Sequence, residues 1–147
     1  MRPFVLDASV AIKWVVEEEG TTEALALRRQ ARLQAPELLV AECANILWKK
    51  ARKGELTVEQ AMLGARLLQA ADVELFPTRS LLAPALGLAI DLDHPAYDCL
   101  YLALAVATAG VFVTADKTLV RKVLHSSRRD LAARVAHLSD AVASSRL

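Results

Sequence analysis

The chain has 147 residues, a formal net charge of +1 and a hydrophobic fraction of 54%. Its length suits one compact domain with a real core, and its near-neutral balance excludes recognition of a polyanion through a global basic field; any such site must be local. Much of the apolar excess is alanine, which favours helix.

From the N-terminus, Phe4–Leu6 is an apolar run that predicts a first strand, and Asp7 closes it. A carboxylate at the end of a buried strand is costly unless it has a partner or a task. Residues 8–19 place Val10, Trp14 and Val15 on one side and predict a helix stopped near Gly20. Thr22 caps a second helix running to residue 33, and Pro36 opens a third over 37–53 with Gly54 as its stop. Thr57-Val-Glu-Gln60 has the pattern of a capping box and starts a helix to about residue 71. Residues 73–76 alternate as a strand ended by Pro77. Helices follow over 80–90 and from His94-Pro95 to Ala109, the latter ended by Gly110. Val111-Phe112-Val113 is a short apolar strand, a helix runs from Asp116 to about His125, and 134–138 reads as a last strand before a frayed tail, AVASSRL.

Strands alternating with helices predict an α/β sandwich with a mostly parallel sheet in a single domain spanning 1–147. In such sheets ligands bind beyond the carboxyl ends of the strands. Asp7 and Asp116 both follow strands, so parallel pairing puts them on one edge. Cys43 and Cys99 sit singly in apolar helical runs and read as buried thiols of a reducing compartment. A strand-like start with an acid at position 7 does not fit a signal peptide. The uncharged stretch 99–115 is short for a membrane span and is interrupted by Gly110. A soluble, cytoplasmic protein is expected.

Two further acids break apolar patterns. Glu42 lies midway along ELLVAECANILW, and Asp98 lies in the first turn of HPAYDCLYLALA. Taken singly, each has a structural explanation: Asp98 complements a helix dipole, and Glu42 sits on a solvent face beside Asn45 and Lys49. Taken together, acids at one sheet edge and on flanking helices repel, and they stay ionised only if a cation joins them. His94, His125 and His137 are scattered, with no zinc spacing. Oxygen donors alone suit Mg²⁺ or Mn²⁺, and a carboxylate-held divalent ion without a phosphate-binding glycine loop suits phosphodiester hydrolysis. The basic groups Lys49, Lys50, Arg52, Lys53 and Lys117, Arg121, Lys122, Arg128, Arg129, Arg134 read first as solvated helix faces.

VLDASVAIKW, PELLVAECANILWK, HPAYDCLYLALA and VTADKTL, each with its acid, stand in the order and approximate spacing of the PIN-domain family, which the chain resembles from residue 4 to about 138. The resemblance is to the VapC-type toxin branch. It implies a three-layer α/β/α sandwich and an Mg²⁺- or Mn²⁺-dependent endoribonuclease, homodimeric and restrained by a VapB-like antitoxin. It assigns Asp7, Asp98 and Asp116 as metal ligands, directly or through water, and Glu42 as a ligand or as the group orienting the attacking water. Ser9, Asn45 and Thr114 are candidates for supporting roles, although Ser9 and Thr114 also suit helix caps. Lys117 meets a substrate phosphate or is merely solvated. Trp14, Trp48, Tyr97 and Tyr101 read as core or dimer packing rather than base-stacking platforms. His94 reads as a turn or cap residue. Two other classes stand beside this reading: a PIN-like module that binds RNA or protein without cutting, and a phosphoacceptor receiver. The receiver fits poorly, because Asp7 has no acidic neighbour.

Overall fold

The computed structural model describes residues 2–30 and 32–145. Five strands, β1 (Phe4–Leu6), β2 (Leu33–Pro36), β3 (Glu74–Phe76), β4 (Val111–Thr114) and β5 (Val135–His137), form one sheet in the order β3-β2-β1-β4-β5. Every pairing is parallel. The helices are α1 (Ala8–Ala11), α2 (Thr21–Gln30), α3 (Leu38–Arg52), α4 (Val58–Gln69), α5 (Leu82–Leu92), α6 (Ala96–Thr108), α7 (Lys117–Leu124) and α8 (Leu138–Ser145). α1 packs on β1 and β4 and against α3, while α8 packs on α2, β4 and β5. α6 lies across β1, β2 and β4 with α5 against its outer side. The result is the expected α/β/α sandwich. No helix among the described residues is long and apolar enough to cross a membrane.

The centre of the sheet is fully buried. Val5, Leu6, Phe112 and Val113 are all buried, as are Tyr101, Leu102 and Leu104 of α6, and the Tyr101 and Phe112 rings stack with centroids 5.7 Å apart. The middle of α6, Cys99 and Tyr101 to Ala105, is buried, which accounts for its uncharged sequence there. The register pairs Leu6 with Val113, so the next residues, Asp7 and Thr114, emerge side by side at the carboxyl edge.

The strand order also tests the receiver reading. Receivers follow the doubly wound order 2-1-3-4-5; here β1 is central and β3 is at the edge.

Several local expectations fail. The first helix does not run to residue 19: α1 ends at Ala11, a 3-10 turn follows over Ile12–Trp14, and the chain then folds into a tight connection. The Thr21 hydroxyl organises that connection, accepting from the Glu18 amide and donating to the Val16 carbonyl. The buried Lys13 ammonium closes it by donating to the Glu19 carbonyl at 2.6 Å. The segment 33–36 is a strand rather than a helix junction, and Pro36 ends it. The helix expected over 80–90 begins later, after a 3-10 turn at Thr78–Leu81. The tail is helical through Ser145, with Ala141 and Val142 buried; Arg146 and Leu147 lie outside the described residues. Trp48 and Tyr97 are exposed, at 54% and 68%, which removes the core alternative for these two and leaves packing between copies as the other part of that expectation.

Candidate active site

Asp7 sits at the start of α1, yet its side chain does not cap that helix. Both its oxygens are engaged elsewhere. The Ser9 hydroxyl donates to Oδ1 at 2.5 Å and the Thr114 hydroxyl to Oδ2 at 2.7 Å. Each hydroxyl in turn accepts a backbone amide of the β4–α7 turn, Ala115 N–H on Ser9 and Asp116 N–H on Thr114. A hydroxyl has one proton, so these bonds orient both groups fully. Ser9 and Thr114, two of the three residues expected in supporting roles, thus link Asp7 to the β4–α7 turn, Thr114 across a separation of 107 residues in sequence.

Asp7 is buried, and burial pushes its carboxyl up to about 6; the two hydroxyls oppose the rise and the Asp98 charge adds to it. Glu42, half-buried on α3, is also raised, first by burial and further by Asp98, while the Tyr101 hydroxyl donating to its Oε1 works against the rise. Glu42 is thus turned to the interior of the sandwich rather than to a solvent face. Asp98, in the first turn of α6, has its Oδ2 2.7 Å from His94 Nε2. Lys122 Nζ lies 3.4 Å from the other nitrogen of that ring. An ammonium only donates, so Nδ1 accepts and the ring proton sits on Nε2, directed at Asp98.

Asp7, Glu42 and Asp98 therefore share one electrostatic neighbourhood. Asp116 stands apart from it: exposed at the start of α7, it accepts the Leu119 amide as a helix cap and reaches the cluster through its own amide on Thr114. Asn45 is exposed and takes no part in these bonds. Tyr101 and His94 were not legible as site residues. Tyr101 follows Asp98 by three residues, one turn of α6, whereas His94 stands four before it in the connection that precedes the helix.

Among the described residues no Lys or Arg forms an ion pair with Asp7, Glu42 or Asp98. Nor does any group of three His, Cys, Asp or Glu side chains stand arranged to hold an ion as it is. What fits a hard divalent cation is the donor chemistry: carboxylate oxygens, close enough to repel, with burial that leaves the repulsion uncompensated. The neighbouring thiols are poor alternatives, since burial pushes Cys43 up to about 12 and Cys99 up to about 11.

Part of the basic groups is committed within the fold. Lys50 pairs with Glu18 and Glu55, Arg128 with Asp91 and Asp130, and Arg134 donates to the Gly110 carbonyl. Trp14 donates its indole N–H to the Ala24 carbonyl at 2.9 Å, and Arg52 covers the Trp48 ring. These contacts favour structural roles for both tryptophans.

Comparison with known proteins agrees with this architecture. The PIN domain family model matches residues 4–123. The chain is 32% identical over 121 residues to Ribonuclease VapC3 of Pyrobaculum aerophilum, covering 80% of this chain and 92% of that one. It superposes on the crystal structure of PAE2754 from Pyrobaculum aerophilum with a TM-score of 0.69 at 18% identity, over 99% of this chain and 90% of the other, a likeness of fold. The chain belongs to the PIN-domain family, in its VapC-type branch.

Proposed function

We propose that this protein is a metal-dependent endoribonuclease, the toxin of a toxin–antitoxin pair, in which Asp7, Glu42, Asp98 and Asp116 hold Mg²⁺ or Mn²⁺. The observation that carries the reading is Asp7: a buried carboxylate raised by burial and by Asp98, with no cationic side chain to balance it. The VapC3 relative's name, a ribonuclease, supports the substrate class. A bound ion would lower the pKa of a coordinated water and offset the charge developing on a scissile phosphate.

The chain's own residues supply orientation. Ser9 and Thr114 fix both oxygens of Asp7, Tyr101 fixes one oxygen of Glu42, and the His94 N–H fixes one oxygen of Asp98. In each of the last two carboxylates the other oxygen stays available as a donor. Asp116 keeps its carboxylate at the rim, where α7 begins.

The same reading extends to the molecule's partners. It makes the protein a single-domain cytoplasmic homodimer held in check by a VapB-like antitoxin. The apolar stripe Leu82, Leu86 and Ile90 on the outer face of α5, exposed at 66%, 53% and 71%, supports self-association. The test of activity is incubation of purified protein with total RNA and Mn²⁺ or Mg²⁺, beside EDTA and Asp7→Asn controls. Discrete fragments absent from both controls are expected. Absence of cleavage together with absence of Mn²⁺ binding would leave the non-catalytic module as the better description.

A further inference from the structure

Beside the carboxylate cluster lies a second feature that the hydrolytic reading does not use. A cleft of about 520 Å³ opens between the α1–α2 connection, the start of α7 and the β5–α8 turn. Its lining includes Asp116, so it adjoins the proposed cutting site. Lys13, Glu19, Glu23, Lys117, His137 and Ser139 complete its polar surface.

The charges decide what the cleft accepts. Lys13 is already committed, to Glu18 at 3.1 Å and to the Glu19 carbonyl. That leaves Lys117 facing the carboxylates of Glu19, Glu23 and Asp116, a balance that repels a phosphate. A guanidinium or ammonium group from a peptide carries donors only. It would meet Lys117 and also His137, whose Nδ1 accepts the Ser139 amide at 3.2 Å and so places the ring proton on Nε2. A nucleobase carries donors and acceptors together, as the cleft does. Glu23, half-buried, and Lys117, exposed, make no hydrogen bond or ion pair among the described residues, so both are open to a ligand. Guanine matches this pair: its N1–H and N2–H donate to one carboxylate while O6 accepts from an ammonium. Single-stranded RNA presents its bases for such reading on their Watson–Crick edges.

We propose that this cleft is a base-specificity pocket that takes a guanine flanking the scissile phosphate, with Glu23 and Lys117 as the reading residues. The proposal rests on the ribonuclease reading for its role, but the pocket itself is testable without cleavage. The first experiment titrates 5′-GMP, 5′-AMP, 5′-CMP and 5′-UMP separately into the ¹⁵N-labelled full chain. GMP should shift the amides of Glu23, Lys117 and Ser139 with an affinity at least threefold tighter than the other nucleotides, and Glu23→Gln should abolish that margin. Equal responses to all four nucleotides, or shifts confined to other surfaces, overturn the pocket. Tighter binding of N-acetyl-arginine amide than of GMP overturns it too, in favour of a peptide site. The second experiment maps Mn²⁺-dependent cleavage of a randomised single-stranded RNA pool by wild type and Glu23→Gln. Loss of a guanine preference at one position adjoining the cut supports the assignment; an unchanged preference overturns it. GMP binding without any cleavage by the wild type would count against the nuclease reading while leaving the pocket standing.

Discussion

Asp7 shows how one residue ties stability to function. Its raised carboxyl means that the folded chain takes up a proton before the unfolded chain does, between a pH of about 6 and the ordinary value of 3.8. Stability of the metal-free protein should therefore rise as pH falls through that window and be lowest above it, by about 3 kcal/mol at most. Asp7→Asn removes the charge and keeps the shape. It should stabilise the metal-free protein by about 2 kcal/mol at pH 8 and by almost nothing at pH 4; urea denaturation at the two pH values checks this. A variant that is weaker at both would show that the Ser9 and Thr114 bonds outweigh the burial of charge. Tyr101 poses the complementary case. Tyr101→Phe keeps the stack on Phe112 but deletes the donor to Glu42, which should cost about 1.5–3 kcal/mol and lift the Glu42 carboxyl further. Mn²⁺ affinity measured by calorimetry should fall with it, and an unchanged affinity would separate Glu42 from the metal.

At the scale of elements, two glycines make opposite predictions. Gly110 lies between α6 and β4, where the Val111 amide reaches the Pro3 carbonyl; a Cβ added at Gly110 would lie 2.6 Å from that same oxygen. Backbone cannot step aside there without disturbing the β1–β4 pair, so Gly110→Ala should destabilise by about 1–3 kcal/mol. Gly87 is an exposed position inside α5 with nothing within 4 Å, and Gly87→Ala should stabilise by about 0.5–1 kcal/mol. Thermal melts of the two variants should move in opposite directions. Elements were legible in the sequence where local chemistry decides them. The Thr57–Gln60 capping box forms as its residues imply, and strand ends marked by Asp7 and by the β4–α7 turn stand where apolar runs give way to polar residues. Strand β2 was hidden because LQAP is too short to show a period, and its Pro36 suits a helix start equally well. The early end of α1 depends on Thr21 and Lys13 contacts that no local pattern announces. The same limit explains the site. The acids stand out because charge is rare in apolar runs, whereas Tyr101 and His94 acquire meaning only from the groups packed opposite them.

At the scale of the whole molecule, the apolar stripe on α5 predicts self-association. Ile90 is exposed, so Ile90→Glu should leave the fold intact and shift the protein from dimer to monomer in sedimentation velocity. A wild-type chain that sediments as a monomer at micromolar concentration would leave the stripe without that role. The sheet order carries a different consequence. β1 emerges first from the ribosome but occupies the middle of the sheet, and it waits for β4 as a neighbour. Thr114, which orients Asp7, is made 107 residues after it, a delay of roughly 5–20 s at ordinary rates of synthesis. If the four carboxylates act together as proposed, no nascent fragment short of α7 would own the whole set, and cleavage would have to wait for β4 to pair with β1.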